Sequence, residues 1–337
     1  MSALRFGIAL STQHRPDEPS ERRFREHLEQ VRLARSLGFD TVAATQHYLA
    51  QPFTYLQPIP VLARIAAEAE GMTLATGIVI LPLCQPLELA EQLATLDVIC
   101  GGRFVFGAGL GYRDAENEAF GLDPRKRVSR FVEALDVVQK LWSGEPVTHE
   151  GRHFRLRDVQ ISIRPLQKPR PPIWLAANGD NGVTRAARLG DAWIMNPHTS
   201  LDTLERQVAL FHATRVEQGC PPAAAMPLGR ECYVAPSDRE ALAEGRAFLE
   251  RKYEAYRQWG QDEALPDGET FDLAIDDLAK NRFVLGDPAR VRDEIARYRE
   301  RLGLTHIVFR LQWPGIERER VLRSIRLLGE KVLPYFA

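Results

Sequence analysis

Residues 73–108 read TLATGIVILPLCQPLELAEQLATLDVICGGRFVFGA. The stretch opens with a Val/Ile-rich run from Thr73 to Ile80, the texture of a strand buried on both faces. A helical pattern follows from Pro86 to Ile99. Proline stands where a helix starts and Gly101-Gly102 where it stops. A second apolar run, Phe104 to Ala108, comes directly after. Strand, helix-length crossover and strand together imply a parallel pair.

The same unit repeats in both directions. Upstream, a strand from Phe6 to Leu10 precedes a helix with Phe24, Leu28, Val31 and Leu37 on one face. That helix stops at Gly38, and Thr41 to Thr45 forms the next strand. Downstream, Phe131, Leu135, Val138 and Leu141 mark a helix. Strands are read at Ile173–Ala177, Ala192–Met195, Leu228–Val234 and His306–Gln312. Helices lie between them, and a last one carries Val321, Ile325, Leu328 and Val332. Two segments break the rhythm. Residues 147–164 alternate around Glu150-Gly151 and read as a hairpin insertion. Residues 258–283 are acidic, contain Pro266-Asp267-Gly268, and read as a long loop or lid. About eight β/α units without a linker predict one domain over residues 1–337. A closed (β/α)8 TIM barrel is favoured over an open doubly wound sheet.

Composition narrows the function. The 337 residues suit a barrel with insertions, since such barrels hold about 250 residues or more. A net charge of -1 leaves no basic excess for a phosphate backbone, so nucleic acid is not an expected partner. Cys84, Cys100, Cys220 and Cys232 form no C-x-x-C pair or zinc spacing, and no metal site is expected. The chain shows no secretory h-region and no apolar run near the roughly 20 residues that span a bilayer. The expectation is a cytoplasmic protein without membrane contact.

In a barrel, chemistry collects where strands end. His47 follows the second strand, beside Tyr48 and near Phe53. It is placed either as a general acid or base or as a simple loop hydrogen-bonder. The other histidines form no cluster in the sequence. Gly107-Ala108-Gly109-Leu110-Gly111-Tyr112 follows the fourth strand, and such glycines permit either close ligand approach or tight packing. Asn178-Gly179-Asp180-Asn181-Gly182-Val183 follows the fifth strand and opens a helix. Its amides suit a phosphate, although Asn178, Asp180 or Asn181 would equally serve as a cap. Asp180 must point away for phosphate to bind. Arg130 would add a charge-assisted contact.

Several stretches together resemble bacterial luciferase and its relatives. They are Gly38–Val42 with Gln46-His47-Tyr48, Thr76–Pro82, Gly101–Gly107, Gln167–Ile173, Gly286-Asp287-Pro288 and Leu327–Pro334. The resemblance runs through nearly the whole chain, in order. It implies a flavin-dependent barrel enzyme with His47 as the catalytic histidine. It also implies a cis peptide between Gly77 and Ile78 under the flavin ring, with Gly109 and Leu110 nearby. The flavin phosphate would lie at Arg130 and at Asn178, Gly179, Asn181, Gly182 and Val183. Tyr48, Phe53 and Tyr112 would line a partly apolar substrate pocket.

The chain departs from luciferase in residues 258–283, which are shorter than the matching lid region, and at three single positions. Gln46 and Tyr48 replace a glutamate and a histidine flanking the catalytic histidine, and Leu110 replaces an arginine on the phosphate. Light emission is not expected. The activity implied is a monooxygenase using reduced FMN, supplied by a separate reductase, and O2 on a small organic substrate. Hydride transfer with the deazaflavin coenzyme F420 is an alternative, and a non-catalytic flavin-binding partner subunit is another. Relatives of this kind are commonly dimers, so a homodimer is expected.

Overall fold

Eight parallel strands close into a ring in the computed structural model, which describes residues 3–11 and 13–337. They are β1 (Arg5–Leu10), β2 (Thr41–Ala44), β3 (Thr73–Thr76), β4 (Phe104–Gly109), β5 (Ile173–Ala177), β6 (Ala192–Met195), β7 (Pro227–Val234) and β8 (His306–Arg310). Each strand pairs with its sequence neighbours. Register from Arg5↔His306 to Ile8↔Phe309 joins β8 back to β1. The ring is therefore a (β/α)8 barrel, as the alternation of runs predicts.

Strand alternation sorts the side chains. On β1, Phe6, Ile8 and Leu10 join the core beneath the helices, while Ala9 faces the barrel interior. The interior is built mostly from small residues, Ala43, Ala75, Val105, Ala192 and Ala225, with Ile194 and Val308 packed against them and Trp174 the largest. Trp174 packs edge-on against His306 at 5.1 Å, near the strand N-termini. That end is filled, and space remains at the C-terminal end.

The outer helices are α1 (Ser20–Ser36), α2 (Pro58–Ile65), α3 (Pro86–Ile99), α4 (Asp114–Ala119), α5 (Arg127–Trp142), α6 (Asp180–Leu189), α7 (Leu201–Glu217), α8 (Asp238–Gln258), α9 (Ile275–Ala279), α10 (Pro288–Leu302) and α11 (Arg318–Leu327). Two of them escape the periodicity argument. Helix α2 is short and proline-rich, and α4 (DAENEA) has no apolar stripe. No helix among the described residues is long and apolar enough to cross a membrane.

Two segments are built differently from the sequence reading. The run Thr73–Ile80 is not one strand. β3 stops at Thr76, the Gly77–Ile78 peptide is cis, and Val79–Ile80 pairs further along β4. An unbroken apolar pattern hides that interruption. Residues 258–283 carry a 3-10 turn at Asp262–Ala264 and the helix α9. Past their end, Val284–Gly286 adds a short strand to β7. Residues Val147–Glu150 and Arg155–Val159 pair as an antiparallel hairpin.

The histidines also differ from expectation, because His14 and His27 meet in the core with ring centroids 5.2 Å apart. Burial, with Arg23 nearby, pushes His14 down to about 4. Burial, then His14 itself, pushes His27 down to about 3. Burial and Arg5 hold His306 at about 4. All three are neutral in the fold. The unfolded chain protonates them near 6.5, so below that pH it binds more protons than the native state. Stability should fall as pH drops from about 6.5 toward 4, by up to about 1.4 kcal/mol per pH unit for each histidine. Urea melts at pH 7.5, 6 and 5 should show a falling midpoint, with a shallower fall in His27→Gln. A midpoint unchanged down to pH 5 would mean that these rings are already charged in the native state.

Candidate active site

A cavity of about 840 Å³ opens at the C-terminal ends of the strands. Both the closed ring and its small inner residues direct it there. Three groups of residues line it.

The first group surrounds His47, which follows β2. Helix α4 brings Glu116, fully buried, to His47 Nδ1 at 3.1 Å. The same Glu116 oxygen accepts the amide of Tyr48 at 2.9 Å, and Arg113 Nη1 lies 3.4 Å from it. Arg113 also donates to the carbonyls of Tyr48 and Leu49. One carboxylate thus fixes both the loop and the imidazole. Its charge selects the tautomer with the proton on Nδ1, which leaves Nε2 as the basic nitrogen. Nε2 has no hydrogen-bond partner among the described residues, and His47 lines the cavity. Tyr55, Tyr112 and Trp259 surround the ring at centroid distances of 5.5 to 5.6 Å. Gln46 braces the loop, accepting from Ile80 N at 2.7 Å.

The second group is a shelf. Gly77 and Ile78 lie beside Gly109 of β4. A Cβ at Gly109 would meet Ile78 Cδ1 at 2.9 Å, so glycine lets the two segments touch. Thr76 clasps Gly107, accepting its amide and donating to its carbonyl, both at 2.8 Å.

The third group is the start of α6. The amides of Gly182 and Val183 already bond to Gly179 O. Those of Asp180 and Asn181 have no intrahelical acceptor and remain for an anion. Asp180 is turned away, held by Arg206 at 2.6 and 3.0 Å and by Gln207 at 3.0 Å. Arg185, half-buried, lines the cavity. A Cβ at Gly182 would lie 3.6 Å from Arg185 Nη2, so this guanidinium folds back to the helix start. It makes no ion pair among the described residues, and burial lowers its pKa.

Most residues read from the sequence gather here. His47, Gly77, Ile78, Gly109, Leu110 and Tyr112 line the cavity, with Asn178, Gly179, Asn181 and Gly182. Four do not. Arg130 donates to Pro82 O at 2.7 Å and lies over Phe154. Val183 is fully buried in the core behind α6. Tyr48 packs on Phe120 and accepts from Gln46, while Phe53 packs on Trp259. The Tyr112 hydroxyl bonds to Gln261, and burial raises its pKa well above the usual value. Sequence reading missed Glu116, Arg185, Trp259, Lys252 and Arg310. Arg185 alone left a signal, three residues past Gly182 on the same helix.

A TIM barrel with a carboxylate-held histidine above a glycine shelf defines a class of barrel oxidoreductases. The sequence profile described as luciferase-like monooxygenase matches residues 4–306, and the chain belongs to that family. It is an enzyme, related to monooxygenases and to other oxidoreductases. The chain is similar to the monooxygenase RslO1 from Streptomyces bottropensis, with 28% identity and a TM-score of 0.90 over 99% of this chain and 100% of that one. The oxygenase component of a flavin-dependent trigonelline monooxygenase from Acinetobacter baylyi is 25% identical, over 99% of this chain and 96% of its own. An F420-dependent glucose-6-phosphate dehydrogenase from Microbacterium testaceum is 28% identical, over 98% and 97%. Among the described residues no group of His, Cys, Asp and Glu could hold a metal ion.

Removing Glu116 should expose how much of the site it holds. Glu116→Ala leaves the donors of His47 and Tyr48 buried without an acceptor, a cost of about 1–3 kcal/mol. Glu116→Gln keeps an oxygen there and should lose less. Denaturant titration of the two variants checks the order, and equal stability of Glu116→Ala and the parent would remove the carboxylate from this role.

Proposed function

We propose that this enzyme binds reduced FMN and uses it with O2 to oxidise a small organic substrate. The observation that carries the reading is half-buried Arg185, without an ion pair among the described residues, whose guanidinium folds back to Gly182 in the first turn of α6, where two amides are free, an anion cradle at one end of the cavity. The shelf at Gly77, Ile78 and Gly109 fits a planar ring system extending from it. Bound reduced flavin supplies the electrons that activate oxygen.

The chain's own residues supply the rest. Asp180 and Asn181 amides with Arg185 would hold the phosphate. His47 accepts or returns a proton at Nε2, because Glu116 keeps the other proton on Nδ1. Tyr55, Tyr112 and Trp259 crowd water away from that nitrogen. The Acinetobacter relative is named an oxygenase component, which supports delivery of reduced flavin by a separate reductase.

A second reading is hydride transfer with F420, favoured by the Microbacterium relative and by Leu110 in the cavity wall. Anaerobic titration with reduced FMN and, in parallel, reduced F420 separates the two. Reduced FMN should bind, and Arg185→Ala should weaken it roughly 10- to 100-fold, the worth of a charged hydrogen bond of about 1.5–3 kcal/mol. Binding of F420 alone would overturn the monooxygenase reading. Once a substrate is in hand, His47→Asn should keep flavin affinity and lower oxygen-dependent turnover by about 10²- to 10⁴-fold.

A further inference from the structure

We propose that the cavity wall formed by β1, β8 and α8 is an anion subsite, and that the substrate carries a carboxylate held there by Arg310, Lys252 and Gln13. The word substrate rests on the oxidoreductase reading above. The subsite itself stands on the groups present.

The charges do not balance. Lys252 Nζ donates to Glu231 Oε1 at 2.6 Å, and Arg310 Nη1 lies 3.7 Å from the same oxygen. The other Glu231 oxygen accepts from Trp313 Nε1 at 2.6 Å. Two cations therefore share one carboxylate, which is fully buried behind them. His198 cannot compensate. Its Nε2 faces Arg310 Nη1 at 3.4 Å, and its Nδ1 meets the Tyr253 hydroxyl at 2.7 Å. Burial, then Arg310 and Lys252, hold its pKa well below the usual value, so it is neutral. Nearby Arg282 is matched by Glu269, while buried Arg230 bonds only to the carbonyls of Asn196, Thr199 and Gly229.

The acids lining the cavity are committed elsewhere. Asp114 pairs with Arg127 and Asp180 with Arg206, and Glu263 and Asp267 are exposed at the mouth. A buried charge without a counter-ion is costly, and an incoming anion relieves that cost. Burial pushes the Lys252 ammonium down to about 8 even beside Glu231.

Donors also wait for a partner. Arg310 has no hydrogen bond from Nε or Nη2 among the described residues, which leaves its fork open to a planar acceptor. Gln13 is 97% buried by its 3% exposure and lines the cavity. Its Nε2 has no partner among the described residues, while its Oε1 accepts from Tyr256. Arg230 does not line the cavity, and at Glu231 itself the surplus is one positive charge, which with a planar fork matches a monoanionic carboxylate. The aromatic rings of Tyr55, Tyr256 and Trp259 on the same cavity suit a partly apolar body attached to it.

The subsite is not the phosphate cradle. In the ring β8 lies three strands from β5 and four from β4, which carries part of the shelf. At about 4.8 Å per strand, three steps put the cradle and Arg310 roughly 14 Å apart along the wall. A substrate anchored at β8 would point toward His47, which follows β2, two strands away.

Calorimetric titration tests this on the purified protein, anaerobically, with and without saturating reduced FMN. The probes are benzoate, cyclohexanecarboxylate and hexanoate, each against its own amide. At least one acid should bind ten-fold or more tightly than its amide. Arg310→Gln should lower that acid's affinity at least ten-fold and leave the amide and reduced FMN unchanged. Gln13→Leu, which touches no ion pair, should lower it severalfold, and it keeps the test open if Arg310→Gln fails to fold. No acid preferred over its amide, or a loss in Arg310→Gln that falls on reduced FMN, would overturn the proposal. Acid preference without reduced FMN binding would sink the cofactor reading and leave the subsite standing.

Discussion

Closure of the sheet between β8 and β1 is the constraint on which the other features depend. A parallel strand cannot be satisfied at an edge without a cover, and here no strand of the ring is left with an open side. Once the ring is closed, side chains that point inward share a narrow tube. Ala9, Ala43, Ala75 and Ala192 keep that tube from filling, while Trp174 and His306 close its N-terminal end. What remains is a cavity at the C-terminal end, where eight loops converge. The position of the site follows from the ring before any functional residue is considered.

Within the site, two kinds of wall differ in what they are made from. The side that carries the shelf and the start of α6 is mostly backbone and glycine. Gly107 and Gly109 of β4 let Thr76 and Ile78 approach closely, Gly77 sits against Ala43 of β2, and the free amides of α6 belong to the main chain. The other side is made of long charged side chains. Lys252 comes from α8, Glu231 from the preceding β7 and Arg310 from β8, so a β/α unit must dock against a strand about 50 residues further on before the cluster exists. Removing Glu231 would leave both cations without a counter-ion, which makes that carboxylate a packing requirement as well as a chemical feature.

This division explains what could be read from the chain alone. Strands and glycine turns leave local traces, and the eight units and the place of His47 after the second strand are visible from them, whereas the cis peptide at Gly77-Ile78 follows only from the family resemblance. Features that interrupt a local pattern without changing its composition are not visible. Thr73 to Ile80 stays apolar across a cis peptide, so one strand was read where the chain makes two. Helix α4 has no apolar stripe, yet it delivers Glu116, the residue that fixes the histidine. Arg130 looked suited to an anion by sequence position, but its guanidinium is committed to Pro82 O and Phe154, and Arg185 stands at the cradle instead. A side chain's destination depends on its neighbours in space, and arginine reaches far enough to choose among several.

Fold and family reveal a class of chemistry more readily than a substrate for the same reason. The parts that would serve a flavin are local and backbone-borne, so they are tied to motifs that a single chain displays. The parts that would recognise a substrate are assembled from α8, β7, β8 and the segment around Trp259, with no shared motif. Their meaning comes from a charge balance that exists only after folding. Two cations over one carboxylate, an amide nitrogen without an acceptor and a neutral histidine are unremarkable singly. Together on one wall they specify the sign and shape of what belongs against them.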